Sequence, residues 1–154
     1  MTPELTLSHA DDVRALVGQP PRVSHWVEVD QASVDRFAVA TGDHQWIHVD
    51  PERAKRESPF GGPIAHGFLT LSLIPALLVS TFVFEQRMGV NYGLNRVRFT
   101  APVPVGSQLR ARFAVSGVTD VEEGGVQIVW NVTLERQGSE RLVCIAEFIT
   151  RHYF

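Results

Sequence analysis

The second half of the chain is written in a period of two. Leu109, Ala111, Phe113 and Val115 alternate with Arg110, Arg112 and Ala114, and Val126, Ile128, Trp130, Val132 and Leu134 alternate with Gln127, Asn131, Thr133 and Glu135. Such alternation turns one apolar face to a core and one polar face to water, which is the signature of antiparallel strands. Glu122-Glu123-Gly124-Gly125 joins the two runs as a hairpin, and Arg136-Gln137-Gly138-Ser139 turns the chain into a last strand over 141–152. A further strand is predicted over 90–99, where Gly93 marks a bulge or a close backbone approach, and A-P-V-P-V-G at 101–106 reads as a turn.

The first half is punctuated by helix signals. Ser8 is placed to cap a short helix over 10–17 that Gly18 stops. H-W-V-E-V-D at 25–30 alternates like a strand. Asp30 or Ser33 then caps a helix that buries Val34, Phe37 and Ala38 and ends near Thr41-Gly42. Asp50-Pro51, a capping aspartate before a first-turn proline, opens a helix over 51–57. S-P-F-G-G-P at 58–63 is a loop, and a helix from Gly67 to Val79 follows, with Pro75 as a kink point.

Residues 67–84 carry no charge, close to the lower length of a membrane span. Thr70, Ser72, Pro75, Ser80 and Thr81 interrupt the stretch, and neither an aromatic belt nor a Lys/Arg cluster frames it. A central helix buried on all sides gives the same pattern, and it is the one apolar object for the strands to wrap. With no repeat, linker or low-complexity segment, residues 1–154 read as a single α+β domain.

Composition narrows the class without choosing a function. A hydrophobic fraction of 44% and a charged fraction of 20% are ordinary for a soluble globular domain, and a net charge of −3 argues against nucleic acid as partner. Cys144 stands alone in L-V-C-I-A, a small core residue that points to a reducing, cytoplasmic setting. M-T-P-E-L-T-L has neither the basic region nor the apolar core of a signal peptide.

The candidate chemistry sits in T-G-D-H-Q-W-I-H at 41–48 and in A-H-G at 65–67. Taken singly, Asp43 is a helix-end aspartate, His48 a surface or core histidine, and Gly67 a tightly packed helix start. Taken together they supply a partly desolvated carboxylate that takes and returns a proton, an imidazole that orients a water, and helix N–H groups for an oxyanion. His66 stands beside Gly67 in either a backbone-supporting or a substrate-facing role. Other motifs are weaker. His44 and His48 are four apart but lack an H-E-x-x-H context, and one cysteine gives no zinc framework. Ser72 lacks the G-x-S-x-G of a serine hydrolase. Arg96 and Arg98 share a strand face, where a solvated edge is the more frequent reading than a phosphate contact.

F-A-V-A-T-G-D-H-Q-W-I-H-V-D-P-E-R-A, followed by G-G-P-I-A-H-G-F-L-T-L-S-L and N-Y-G-L-N-R-V-R-F-T-A-P-V-P-V-G-S, closely resembles the MaoC-like, (R)-specific enoyl-CoA hydratase family. The resemblance covers most of the chain and implies a hotdog fold, an antiparallel sheet around a long central helix. It implies that Asp43 and His48 activate the water that adds to a trans-2-enoyl thioester, and that the Gly67 N–H polarises the thioester oxygen. It further implies a homodimer, an acyl-CoA or acyl-ACP substrate that brings its own CoA or phosphopantetheine arm, no metal or redox cofactor, and no membrane. Gln45 and Trp46 stand where Asn-Pro is typical, which makes the chain more similar to the NodN-like branch and sets Trp46 to narrow the acyl pocket. A thioesterase on the same fold and a non-catalytic acyl-thioester binding module are the alternatives.

Overall fold

The computed structural model describes residues 5–154. Its elements are β1 (Leu5–Leu7), α1 (Ala10–Arg14), β2 (Arg22–Val23), β3 (Val27–Val29), α2 (Gln31–Thr41), α3 (Trp46–Val49), α4 (Pro51–Glu57), α5 (Gly67–Ser72), α6 (Ile74–Val79), β4 (Phe82–Phe84), β5 (Met88–Arg98), β6 (Ser107–Val121), β7 (Gly125–Arg136) and β8 (Leu142–Tyr153).

The period-two runs form one antiparallel sheet in the order β2-β6-β7-β8-β5, with β3 continuing the β2 edge along β6. Its apolar face is closed: Leu109, Ala111, Ile128, Trp130 and Leu134 are fully buried. Phe82 lies against Trp130 with ring centroids 5.2 Å apart, and Phe113 meets Trp130 edge-on at 6.2 Å. From α5 and α6, Leu69, Ile74, Leu77 and Leu78 pack into the same cluster, so the sheet does wrap the helical stretch.

That stretch differs from expectation in two ways. It is two six-residue helices rather than one long one. Pro75 has no N–H to give the Leu71 carbonyl, and its ring crowds that turn. At the break the Leu73 N–H bonds back to the Thr70 carbonyl at 3.3 Å, and the regular pattern resumes with Leu77 N–H to the Leu73 carbonyl at 3.0 Å. Nor is it buried on all sides, for Phe68 and Val79 are 67% and 63% exposed. Among the described residues no helix is long and apolar enough to cross a membrane.

Smaller corrections have local causes. α1 is capped at His9 rather than Ser8, because the Asp12 carboxylate accepts the backbone N–H of both Ser8 and His9, at 2.8 and 2.9 Å. It stops at Arg14, and Val17 instead bridges to Val115. The strand predicted over 25–30 is only Val27–Val29, and Leu5–Leu7, which carries no strand prediction, pairs parallel with Phe82–Phe84. At Gly93 the bulge is present: register slips between Asn91 and Gly93, and again between Leu94 and Arg96. The 101–106 segment is more than a turn. Ala65 N–H donates to the Val103 carbonyl at 2.8 Å and Val105 N–H to the Pro63 carbonyl at 2.9 Å, which fixes the approach to α5.

Candidate active site

α2 ends in a left-handed Gly42 (φ 82°), a conformation that glycine adopts without steric cost, and its N–H closes on the Ala38 carbonyl at 2.8 Å. Thr41 also ties back, its hydroxyl donating to the Phe37 carbonyl at 2.8 Å. The chain then reverses through Asp43 and winds into the single turn of α3, which begins after Gln45. That turn swings His48 inward, to 6% exposure. The Asp50 carboxylate accepts the Arg53 N–H at 3.0 Å and starts α4 immediately afterwards, so the segment is clamped at both ends.

His48 is oriented by main chain. Its Nδ1 lies 2.6 Å from the Ile64 carbonyl, which can only accept, so Nδ1 carries the hydrogen and Nε2 keeps its lone pair. Gln31 Nε2 donates to the His48 carbonyl at 2.8 Å. Burial pushes the imidazole below its ordinary pKa, and nearby His66 adds to that; the Ile64 hydrogen bond and the Asp43 carboxylate pull the other way without reversing it. His48 is accordingly neutral at neutral pH.

His66, the residue before α5, is 2% exposed. Its Nε2–H donates to the Asp43 carbonyl at 2.9 Å, its ring stacks on His48 with centroids 3.9 Å apart, and Phe37 lies against it at 4.9 Å. Its Nδ1 is buried without a partner. The contact that a backbone-supporting role requires is thus present. Asp43, His48 and His66 converge, each offering a donor atom within 4.8 Å of the others. These are also the residues that could ligate a metal, although each imidazole already commits one nitrogen to a carbonyl. His44 is exposed and has no part in the group.

The Asp43 side chain is exposed in the single chain, so the partial desolvation expected of it is absent there. Its Oδ1 faces the Gln45 N–H at 3.4 Å. Gly67 opens α5, whose first N–H groups have no intrahelical acceptor. A Cβ at Gly67 would sit 2.6 Å from Phe99 Cδ2, so glycine is what lets the Phe99 ring lie against the start of α5. Beside it lies a cavity of about 350 Å³ walled by Ile64, Gly67, Thr70, Phe99 and Val143 among others. Trp46 is not in that wall. Its ring carries the Arg53 guanidinium at 4.2 Å, so it does not narrow this cavity, and Gln45 also lies outside the lining.

Sequence reasoning missed the Ile64 carbonyl, Gln31 and Phe99. The first acts through its main chain and the other two reach the site across the fold. Phe37 was legible as an inward-facing helix position, though not as a ring against His66.

A helix cradled by an antiparallel sheet is the hotdog architecture, and a carboxylate beside an imidazole at the mouth of that helix equips it to activate water. Residues 12–136 match the family described as MaoC like domain, and the chain belongs to it. It is similar to 3-hydroxyacyl-thioester dehydratase Z of Mycobacterium tuberculosis, with 48% identity over 96% of this chain and 97% of the relative. Nodulation protein N of Rhizobium leguminosarum bv. viciae is 48% identical over 96% of this chain and 91% of its own. Among solved structures, the R-hydratase PhaJ1 of Pseudomonas aeruginosa shares the fold with a TM-score of 0.69 at 24% identity, covering 89% of this chain and 81% of that one.

Proposed function

We propose that the protein is a hydro-lyase that interconverts trans-2-enoyl thioesters and (R)-3-hydroxyacyl thioesters. The observation that carries this reading is the convergence of Asp43 and neutral His48 within 4.8 Å, next to the helix that Gly67 opens. The similarity to a 3-hydroxyacyl-thioester dehydratase along nearly the whole chain supports it.

A water has two hydrogens, and the site has two acceptors for them: an Asp43 carboxylate oxygen and the free Nε2 of His48. Holding both turns an oxygen lone pair toward the β-carbon of the substrate. As the C–O bond forms, the water's proton passes to Asp43 and the double-bond electrons move onto the thioester oxygen, where the Gly67 N–H steadies the enolate. The same proton then returns from Asp43 to the α-carbon, a syn addition with nothing left over. Dehydration is the reverse. No cofactor enters this sequence, since the CoA or phosphopantetheine arm belongs to the substrate.

The reading includes a homodimer. Phe68 and Val79 on the helices, and Val90, Tyr92 and Leu94 on the edge strand β5, are all exposed large apolar side chains, and an uncovered edge invites a strand from a second copy. Sedimentation of the purified protein decides that point. A cytoplasmic location fits the buried, unpaired Cys144.

Incubation with crotonyl-CoA tests the chemistry. Hydration removes the enoyl absorbance without releasing thiol; released thiol identifies a thioesterase instead. Asp43→Asn and His48→Gln should each abolish most turnover, and turnover that survives both changes rules out the mechanism.

A further inference from the structure

The outer face of the sheet carries a groove that the proposed reaction does not use. Its volume is about 360 Å³, and Arg96, Arg98, Asn131, Thr133 and Glu147 line it together with Thr100. Thr100 also lines the cavity beside Gly67, so the two spaces meet at this residue, around the end of the edge strand.

The charges in the groove stand out against their neighbours. Arg110 and Arg112 are both engaged by Glu135, and Arg14 by Asp11 and Asp120. By contrast, among the described residues neither Arg96 nor Arg98 makes an ion pair, although Glu147 is the cross-strand partner of Arg96. Arg98 has only a hydrogen bond from Nη1 to the Val97 carbonyl at 2.7 Å. A third guanidinium borders the junction: Arg141 Nη2 donates to the Thr100 carbonyl at 3.0 Å. Thr100 itself is pinned, with N–H to the Val143 carbonyl at 3.1 Å and hydroxyl to the Leu142 carbonyl at 2.5 Å. A fixed hinge thus joins an apolar cavity to a cationic groove, on a chain whose net charge is −3.

We propose that Arg96 and Arg98 form the phosphate subsite for the carrier arm of the substrate, with Arg141 flanking it. This rests on the thioester reading above. The acyl end occupies the cavity beside Gly67, the arm passes Thr100, and the phosphate reaches the paired guanidiniums, which present planar N–H forks suited to phosphate oxygens. The phosphate comes either from the nucleotide of CoA or from the phosphopantetheine arm that CoA and a carrier protein share.

The test compares crotonyl thioesters of CoA, 4′-phosphopantetheine and N-acetylcysteamine, the last free of phosphate, on wild type and on the double variant Arg96→Ala/Arg98→Ala. The expected result is a fall on the order of tenfold or more in kcat/KM for the CoA thioester relative to the phosphate-free one, carried by KM and recovered in part by Arg96→Lys/Arg98→Lys. A loss shared by the phosphopantetheine thioester assigns the subsite to the arm phosphate; a loss confined to CoA assigns it to the nucleotide. An unchanged ratio overturns the subsite while leaving the hydro-lyase reading intact. If wild type turns over none of the three, that reading fails, and calorimetric titration with free CoA decides the subsite alone: binding weakened in the double variant supports it, whereas binding equal in both proteins or absent from wild type overturns it.

Discussion

The Nε2–H of His66 donates to the main-chain carbonyl of Asp43 at 2.9 Å, so the residue before α5 holds the segment that follows α2. Removing that tie leaves a part-buried carbonyl without its protein donor and unstacks His48. His66→Ala should cost about 2 kcal/mol of stability and lower kcat on crotonyl-CoA by on the order of tenfold. His66→Gln, which keeps an amide donor, should recover part of kcat. Denaturant melts alongside steady-state kinetics provide the check. A variant as active as wild type would show that the tie does not position Asp43.

Gly67 is fixed by the Phe99 ring as much as by chemistry. Gly67→Ala places a methyl 2.6 Å from Phe99 Cδ2, so the ring or the helix start has to shift. The activity of Gly67→Ala should fall about tenfold or more, and Phe99→Ala in the same chain should relieve part of the loss. A double-mutant cycle reads this directly, and strictly additive effects would rule out the steric link.

His152 sets a pH limit on the fold. Trp130 Nε1–H donates to Thr150 Oγ1 at 2.8 Å, Thr150 Oγ1–H to His152 Nε2 at 2.8 Å, and His152 Nδ1–H to Gln86 Oε1 at 2.5 Å. Every partner in this buried chain is satisfied only while the imidazole is neutral, and burial pushes His152 down to about 4. The unfolded chain therefore binds the proton first. Stability should be full above pH 6.5, fall as pH drops toward 4, and level off below that, by on the order of 3 kcal/mol for this one group. Urea unfolding at pH 7 and pH 4.5 measures it, and His152→Phe should flatten the difference.

Activity should follow His48 in the same direction. Burial keeps its pKa below the ordinary histidine value, and protonating Nε2 removes one of the two acceptors for the water. Turnover is then lost as pH falls, with the acid limb of kcat/KM below pH 6.5. A limb at or above that value would contradict a neutral, buried His48.

The strands of the second half were legible because alternation over many residues has one physical reading, from Leu109 to Leu134 and on to His152. Short strands were not. Leu5–Leu7 and Phe82–Phe84 are too brief for any period and exist because they pair with each other across the fold. Pro75 was legible as a kink, but its consequence, two helices instead of one, depends on how the Leu71 turn relaxes. At the site, Asp43, His48 and Gly67 stood out by motif. The Ile64 carbonyl did not, since any residue type there offers the same oxygen. The contact of Trp46 was not legible either, because a position three residues after Asp43 says nothing of the Arg53 guanidinium that stacks on its ring.

Asp43 takes part in the architecture through its carbonyl and in the proposed chemistry through its carboxylate. Those two parts of one residue can be altered separately. Asp43→Asn removes the proton acceptor yet keeps the oxygen that His66 grips, so the inactive protein should hold its scaffold around an unreacted enoyl thioester. It is the form in which to capture the bound substrate.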